Sequence, residues 1–364
     1  MVFLSGFDPR GAAHYYRLFA EQLGRHGLGL GRRRDQADGL LSRWKIGGDP
    51  DPALEVVFLH WDDIARRHWP RQPWRMVWDG LGIYRWYVLG GGLRRIVRWS
   101  PSVALCGLYP LVFVATALVL AFAMGAVLLL ASRALGLPVP LAVSIAVLLA
   151  GLLLWQAWRL AEGIGVVWLF RSIRFTHLLG EARDLGLRQR VRELAERLIQ
   201  LEQAEPAGEV LLVGHSSGSF VMAMLAAELR RQPAWPQLLP RLQLLSLGQN
   251  LANLAVHTGA EPFHRDLIEL AVEPRPPWLD VTSRDDYLCF AGVDPYRSCG
   301  LPRPEGAPYP ELRLIDLAGP RGIRGWWQLM GCQFDLHFDY LRSRSDADTG
   351  FDWWQLLLEG RARA

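Results

Sequence analysis

The chain has 364 residues, 51% of them hydrophobic, and a formal net charge of +4 at pH 7. This length fits one large domain or two ordinary ones. The modest charge, with no recognisable motif and no interleaved basic and aromatic groove, argues against a nucleic acid partner. Four scattered cysteines form no C-x-x-C pair, so they predict neither a zinc site nor a disulfide framework and favour a reducing location: Cys106, Cys289, Cys299 and Cys332.

The N-terminal part alternates short apolar runs with helical patterns. Val2–Phe7 reads as a strand and residues 11–27 as a helix. Residues 32–51 are predicted to be a polar loop, followed by a second strand over Glu55–Trp61 and a short helix over Asp62–Arg67. The first residues lack a basic n-region and their apolar run breaks early, so no signal peptide is expected.

Two long uncharged runs follow, from Trp99 to Ser132 and from Ala134 to Trp158, separated only by Arg133. A bilayer core requires about 20 apolar helical residues, and each run is long enough. The pattern predicts antiparallel membrane-spanning helices over residues 103–131 and 136–158. The alternative is a hairpin buried in a protein core.

Basic residues predict the orientation of this hairpin. Arginines flank both outer ends, whereas the connecting turn contains only Arg133. The positive-inside rule therefore places both flanks in the cytoplasm, as a two-span protein of the cell inner (plasma) membrane. Residues 163–179 mix apolar and basic side chains, which is typical of an interfacial helix.

The remaining chain returns to alternating strands and helices. An amphipathic helix is predicted over residues 181–203 and another helix over residues 219–232. Four further strands are predicted over residues 209–213, 241–248, 277–283 and 311–317. Together with the two N-terminal strands they make about six. This alternation predicts an α/β fold with a mostly parallel sheet flanked by helices.

The stretch GHSSG lies where one of these strands meets a helix. A G-x-S-x-G match alone is weakly specific, but a strand before it and a helix after it are the context of a nucleophile elbow. Gly214 and Gly218 remove side chains that would crowd a sharp turn at Ser216. The backbone amide of Ser217 is a candidate oxyanion donor, whereas His215 is interpreted as a packed residue.

A serine nucleophile needs a base and an orienting acid, which in the elbow fold follow in the order Ser, Asp or Glu, His. His337 is the single histidine after residue 264 and is the candidate base. The candidate acid is Asp286, with Asp285 as the alternative, because both follow the strand over residues 277–283. Gly6 and Phe7 lie where the first strand runs into its loop, and Phe7 is the candidate second oxyanion donor.

With these motifs, the chain resembles the α/β-hydrolase superfamily. The resemblance is carried by LLVGHSSGS, Asp286 and His337, and it implies a Ser–His–Asp hydrolase with Ser216 as nucleophile. The usual first two strands and a long lid are missing, and the large insertion is the hairpin. We therefore expect residues 1–98 and 180–364 to form the hydrolase domain, with 99–179 as the hairpin and interfacial helix.

The predicted function is a membrane-anchored serine hydrolase that cleaves a carboxylic ester, lipid esters included, through an acyl-enzyme on Ser216. No cofactor and no metal is needed for this chemistry, and the expected partners are the lipid bilayer and the ester substrate. A thioesterase or acyltransferase would use the same residues. The alternative is a catalytically inactive membrane scaffold or lipid-binding module, and the oligomeric state stays open.

Overall fold

A computed structural model of the protein describes residues 1–47, 54–183, 185–302, 306, 308–343 and 352–358. The described residues contain one mixed sheet of eight strands in the order β2-β3-β4-β1-β5-β6-β7-β8. The strands are β1 Val2–Leu4, β2 Arg34–Asp35, β3 Leu41–Ile46, β4 Leu54–Leu59, β5 Val210–His215, β6 Leu242–Leu247, β7 Trp278–Thr282 and β8 Glu311–Leu314. Neighbouring strands from β4 through β1 to β8 are parallel.

The expectation of about six strands is wrong, because β2 and β3 arise inside the segment predicted to be a loop. β3 pairs antiparallel with β4 along its whole length, and β2 pairs antiparallel with β3. Ser42, Arg43 and Lys45 make β3 polar in sequence. A position near the edge of the sheet tolerates such residues, which hides the strand from a hydrophobicity pattern. The loop prediction at residues 48–51 lies outside the described residues.

Helices flank the sheet and form the insertion. They are α1 Ala12–Arg25, α2 Asp62–Arg67, α3 Pro73–Val88, α4 Gly92–Trp99, α5 Pro101–Ala134, α6 Val139–Gly163, α7 Val166–Gly180, α8 Leu187–Ala204, α9 Gly218–Arg230, α10 Trp235–Leu238, α11 Leu251–Ala255, α12 Glu261–Ala271, α13 Pro295–Cys299, α14 Trp326–Gly331, α15 Gln333–Asp339 and α16 Trp353–Leu358. Two 3₁₀ turns lie at Leu239–Arg241 and Gly319–Arg321.

The register of the parallel strands brings the candidate site together. Leu4 lies opposite Gly214, and His215 lies opposite Leu247, which in turn lies opposite Val281. The loops after β1, β5, β6 and β7 therefore leave the sheet at one edge. Ligands of open parallel sheets bind at this carboxyl edge.

The chain divides into two compact units. The sheet unit comprises the described parts of residues 1–69, 94–103 and 176–364, and the helical unit comprises residues 70–93 and 104–175. The insertion into the sheet unit thus begins earlier than the predicted residue 99. Residues 70–93, including α3, group with the hairpin.

The helical unit contains two helices long and apolar enough to cross a membrane, α5 and α6. Only 6% of the most apolar window of α5 and 11% of that of α6 is buried. The most apolar windows of these helices are therefore not buried within this chain, in contrast to the alternative of a hairpin buried in its core. Small residues lie where the two helices touch, with Gly125 of α5 near the backbone of Ala146 and the side chain of Ala150.

The two remaining helices of this unit differ in exposure. The predicted interfacial helix coincides with α7, whose apolar residues are mostly buried, Val167, Phe170 and Ile173 among them. Its interfacial role stays a prediction. Of these two helices, α3 is the one with several exposed large apolar residues, Trp74 and Trp78 among them.

Candidate active site

Ser216 lies on a sharp turn between β5 and α9. Its φ is +56°, a left-handed conformation that residues other than glycine rarely adopt. The backbone amide of Ser216 donates a hydrogen bond to Leu247 O (2.9 Å), which stabilises the turn. A Cβ added to Gly214 would lie 2.6 Å from Gly218 O, and one added to Gly218 would lie 2.5 Å from Ser5 O. Both glycines are required by the close approach of backbone on either side of Ser216.

His337 and Asp286 form a buried pair at the same edge of the sheet. His337 Nδ1 lies 2.7 Å from Asp286 Oδ2, and both side chains are almost completely buried. The other carboxylate oxygen of Asp286 accepts a hydrogen bond from the amide of Leu288 (2.9 Å). This arrangement holds the imidazole through Nδ1 and leaves Nε2 for proton transfer.

Asp285, the alternative acid, makes different contacts. Its Oδ2 accepts hydrogen bonds from the amides of Leu317 (3.0 Å) and Ala318 (3.1 Å) and from the hydroxyl of Ser283 (3.1 Å). It ties the loop after β7 to the segment after β8. The contacts thus distinguish the two adjacent carboxylates: Asp286 contacts His337, whereas Asp285 binds backbone amides.

The Ser216 hydroxyl is held by an asparagine rather than by the histidine. Asn250 Nδ2 donates to Ser216 Oγ (3.3 Å). Among the described residues, His337 Nε2 has no hydrogen-bond partner. Ser219 Oγ donates to Ser216 O (2.6 Å) and accepts from the amide of Asn250 (3.0 Å). Asn250, in the loop between β6 and α11, therefore belongs to the same hydrogen-bond network as Ser216.

His215 contacts α15, the helix that carries His337. It is buried, and its Nε2 lies 2.8 Å from the carbonyl oxygen of His337, to which it donates when protonated at that nitrogen. Burial lowers the pKa of His215 to about 3, so the ring is neutral at pH 7. Its position fits the predicted packed residue.

The loop after β1 passes directly over the nucleophile. A Cβ added to Gly6 would lie 3.0 Å from Ser216 Cβ and 3.3 Å from its Oγ. Phe7 comes next and packs against Trp69, with ring centroids 5.5 Å apart. Ser217 directly precedes α9, where the helix dipole favours negative charge. The two predicted oxyanion donors thus lie on separate segments, Ser217 next to Ser216 in the chain and Phe7 next to Gly6 in the loop over the nucleophile.

Sequence reasoning missed two residues that organise the site, Asn250 and Gln333. Gln333 Oε1 accepts from the amide of Tyr287 (2.6 Å), and its Nε2 donates to Asp285 O (2.9 Å). These hydrogen bonds connect the loop that carries Asp285 and Asp286 to α15, the helix that carries His337. A polar residue in the loop after β6 could have indicated Asn250, because the loops after parallel strands share one edge. No local pattern indicates Gln333.

Among the described residues, no group of three or more His, Cys, Asp or Glu side chains is arranged to hold a metal ion. Comparison with known proteins found no family model, no curated protein and no solved structure that matches the chain.

Proposed function

We propose that this protein is a serine hydrolase that cleaves a carboxylic ester through an acyl-enzyme on Ser216. The observation that carries the proposal is the strained Ser216 at a strand-to-helix turn, on the same sheet edge as the buried His337–Asp286 pair. A left-handed serine costs of order 1–3 kcal/mol, and such strain clusters at active sites.

In this proposal, Ser216 Oγ attacks the ester carbonyl while His337 Nε2 accepts the hydroxyl proton. The developing oxyanion is stabilised by the amides of Ser217 and Phe7. The C–O bond to the alcohol then breaks, and His337 returns the proton to the leaving oxygen. A water activated by His337 hydrolyses the acyl-enzyme, and Asp286 keeps the imidazole in the required tautomer throughout.

The resting hydrogen bonds require one rearrangement before the attack. Ser216 Oγ accepts from Asn250, whereas general base catalysis requires it within about 2.6–3.2 Å of His337 Nε2. Rotation of the Ser216 side chain about χ1 would exchange the partner. Catalytic hydrogen bonds are often looser in free enzymes than in substrate complexes.

The exposed apolar hairpin supports a membrane-anchored enzyme with both flanks in the cytoplasm, as the arginine distribution predicts. In inside-out membrane vesicles, added protease should digest the sheet unit, while right-side-out vesicles should protect it. Digestion only in right-side-out vesicles would mean that the topology is the opposite of the one proposed.

A second candidate function is a non-catalytic membrane scaffold or lipid-binding module. It is favoured by the resting contact of Ser216 with Asn250 and by the low exposure of Ser216, 5%. A scaffold does not need a strained nucleophile next to a paired histidine and carboxylate.

Labelling with a fluorophosphonate probe separates the two functions. The wild-type protein should be labelled, and Ser216→Ala should abolish labelling because the attacking oxygen is lost. Ser217→Ala is the matched control: it removes the neighbouring hydroxyl, keeps the backbone amide and should still be labelled. Absence of wild-type labelling in a folded preparation would favour the scaffold. Labelling of Ser216→Ala equal to wild type would exclude Ser216 as the nucleophile.

A further inference from the structure

Helix α3 presents an apolar stripe to the outside of the helical unit. Trp74 and Trp78 are 66% and 74% exposed, and Val77, Leu81 and Val88 are also exposed. These positions recur at helical spacing, so they share one face of α3. A contiguous exposed apolar face of this kind in a soluble protein would mark an interaction site.

The opposite face of α3 is fixed within the same unit. Arg174 Nε of α7 donates to Asp79 (2.5 Å), and a Cβ added to Gly80 would lie 3.5 Å from the ring of Phe170. Tyr84 Oη donates to the carbonyl oxygen of Gly107 on α5 (3.1 Å). These contacts hold the helix along its length, so its outward stripe is a fixed surface.

The attachment to α5 sets the depth of α3 relative to the apolar hairpin. Residues 104, 106, 107 and 110 of α5 are buried, whereas residues 111–134 are almost all exposed or half-buried. These 24 residues span about 36 Å at 1.5 Å per residue, enough for a hydrocarbon core of about 30 Å. Gly107 lies about one turn before this segment, at the level where headgroups would begin.

The composition of α3 suits that level. Tryptophan is enriched at membrane–water interfaces because its ring is amphipathic. Arg75 and Arg85 are exposed on the same helix, and Arg75 lies over the ring of Trp74 at 5.4 Å. Arginines beside an apolar face attract anionic headgroups, and an exposed apolar face is unfavourable in bulk water.

We infer that the exposed face of α3 is a second membrane-binding surface, which lies in the interfacial layer of the bilayer beside the hairpin. The tryptophans insert at the level of the acyl boundary, and Arg75 and Arg85 contact anionic headgroups. This surface acts independently of the proposed hydrolase chemistry.

Photocrosslinking of the full-length protein in vesicles of phosphatidylcholine and phosphatidylglycerol tests this surface. Benzoylphenylalanine replaces one aromatic residue at a time: Trp78 on α3, Phe122 in the middle of α5, or Trp327 in the sheet unit. The exposed fractions are similar, 74%, 79% and 81%, so exposure alone predicts equal labelling. Lipid adducts are measured by mass spectrometry. The same replacement at Trp74 repeats the α3 measurement if the Trp78 variant folds poorly.

We expect lipid adducts at positions 78 and 122 and several-fold fewer at position 327. Adducts at 122 without adducts at 78 or 74 would overturn the proposal, as would equal yields at 78 and 327. Crosslinking of position 78 to a second copy of the chain would also overturn it and indicate a protein interface. Absence of lipid adducts at position 122 would contradict both the membrane-spanning hairpin and the proposed surface on α3.

Discussion

The sheet unit and the helical unit expose opposite kinds of side chain. In the sheet unit, strand residues such as Phe3 and Val213 and the helix residue Phe220 are completely buried. In the helical unit, Phe122 and its neighbours on α5 are mostly exposed. Apolar surface in water is unfavourable by about 25 cal/mol per Å². The same force that buries one set of side chains inside the protein would place the other set in lipid, as the proposed membrane anchor requires.

The units also differ in where they keep polar groups. The sheet unit buries Asp280, His215 and the His337–Asp286 pair. Residues 111–132 of α5 contain no charged side chain. Ionisable groups inside a membrane usually mark function, and the residues of the proposed chemistry all lie in the sheet unit.

The largest expected effect is at the buried His337–Asp286 pair of the sheet unit. Asp286→Asn should reduce ester turnover by about 10³- to 10⁴-fold, because Asn stabilises the wrong tautomer of His337. Asp285→Asn is the matched control, since it changes the adjacent carboxylate that binds backbone amides, and it should retain most activity. Hydrolysis of a small soluble ester measures both. A severe loss in Asp285→Asn with a mild one in Asp286→Asn would move the acid by one residue.

A charge placed on each exposed surface tests whether the two units face different solvents. Phe122→Lys should disfavour membrane integration by about 2.5–3.5 kcal/mol, the cost of Lys near the centre of a spanning helix. Trp327→Lys, in the sheet unit, should change stability by about 0.5 kcal/mol or less. Carbonate extraction of membranes measures integration. Full integration of Phe122→Lys would mean that α5 faces protein or water.

The buried Asp280 predicts a pH dependence of the sheet unit. Burial raises the pKa of Asp280 to about 8, and Ser246 donates a hydrogen bond to its carboxyl group. Between pH 4 and 8 the folded protein keeps a proton that the unfolded chain has released. The free energy of unfolding should therefore fall as pH rises, by up to about 1.4 kcal/mol per pH unit.

Asp280→Asn should remove this slope, because an amide does not titrate. Urea unfolding at pH 5 and pH 7 measures it, and the difference from wild type cancels the contribution of His215, whose lowered pKa acts with the opposite sign. Asp335→Asn changes an exposed carboxylate and should leave the slope unchanged. An unchanged slope in Asp280→Asn would show that the carboxyl group is ionised in the folded protein.

The smallest expected effect concerns the network around the nucleophile. Asn250→Ala removes the donor to Ser216 Oγ, a hydrogen bond worth about 1 kcal/mol. The freed hydroxyl can turn toward His337, so the rate of fluorophosphonate labelling should rise about fivefold. Ser217→Ala should leave the rate near that of wild type. A fall of about 10²-fold in Asn250→Ala would instead make the amide an oxyanion donor.

Sequence patterns located β1, β4, β5, β6, β7 and β8 and missed β2 and β3 at one edge of the sheet. β5, β6 and β7 differ from their predicted ranges by one or two residues at an end, because continuous apolar runs bounded by turns are a strong signal. β2 and β3 carry charged and polar residues, and only pairing between strands defines them, because β3 pairs with β4 and β2 pairs with β3. The exposed face of α3 was missed for a related reason, since a local pattern does not tell which apolar side chains find partners.

By itself, the sequence determined the position of the elbow, the order of Ser216, Asp286 and His337 along the chain, and the two membrane-length helices. Each depends on local chemistry: glycine spacing, chain order or uninterrupted apolar length. The tertiary structure decided that Asp286 rather than Asp285 contacts His337, and that Asn250 holds Ser216. Adjacent side chains on a turn point in different directions, and contacts between residues far apart in the chain depend on strand register, which no short stretch of sequence encodes.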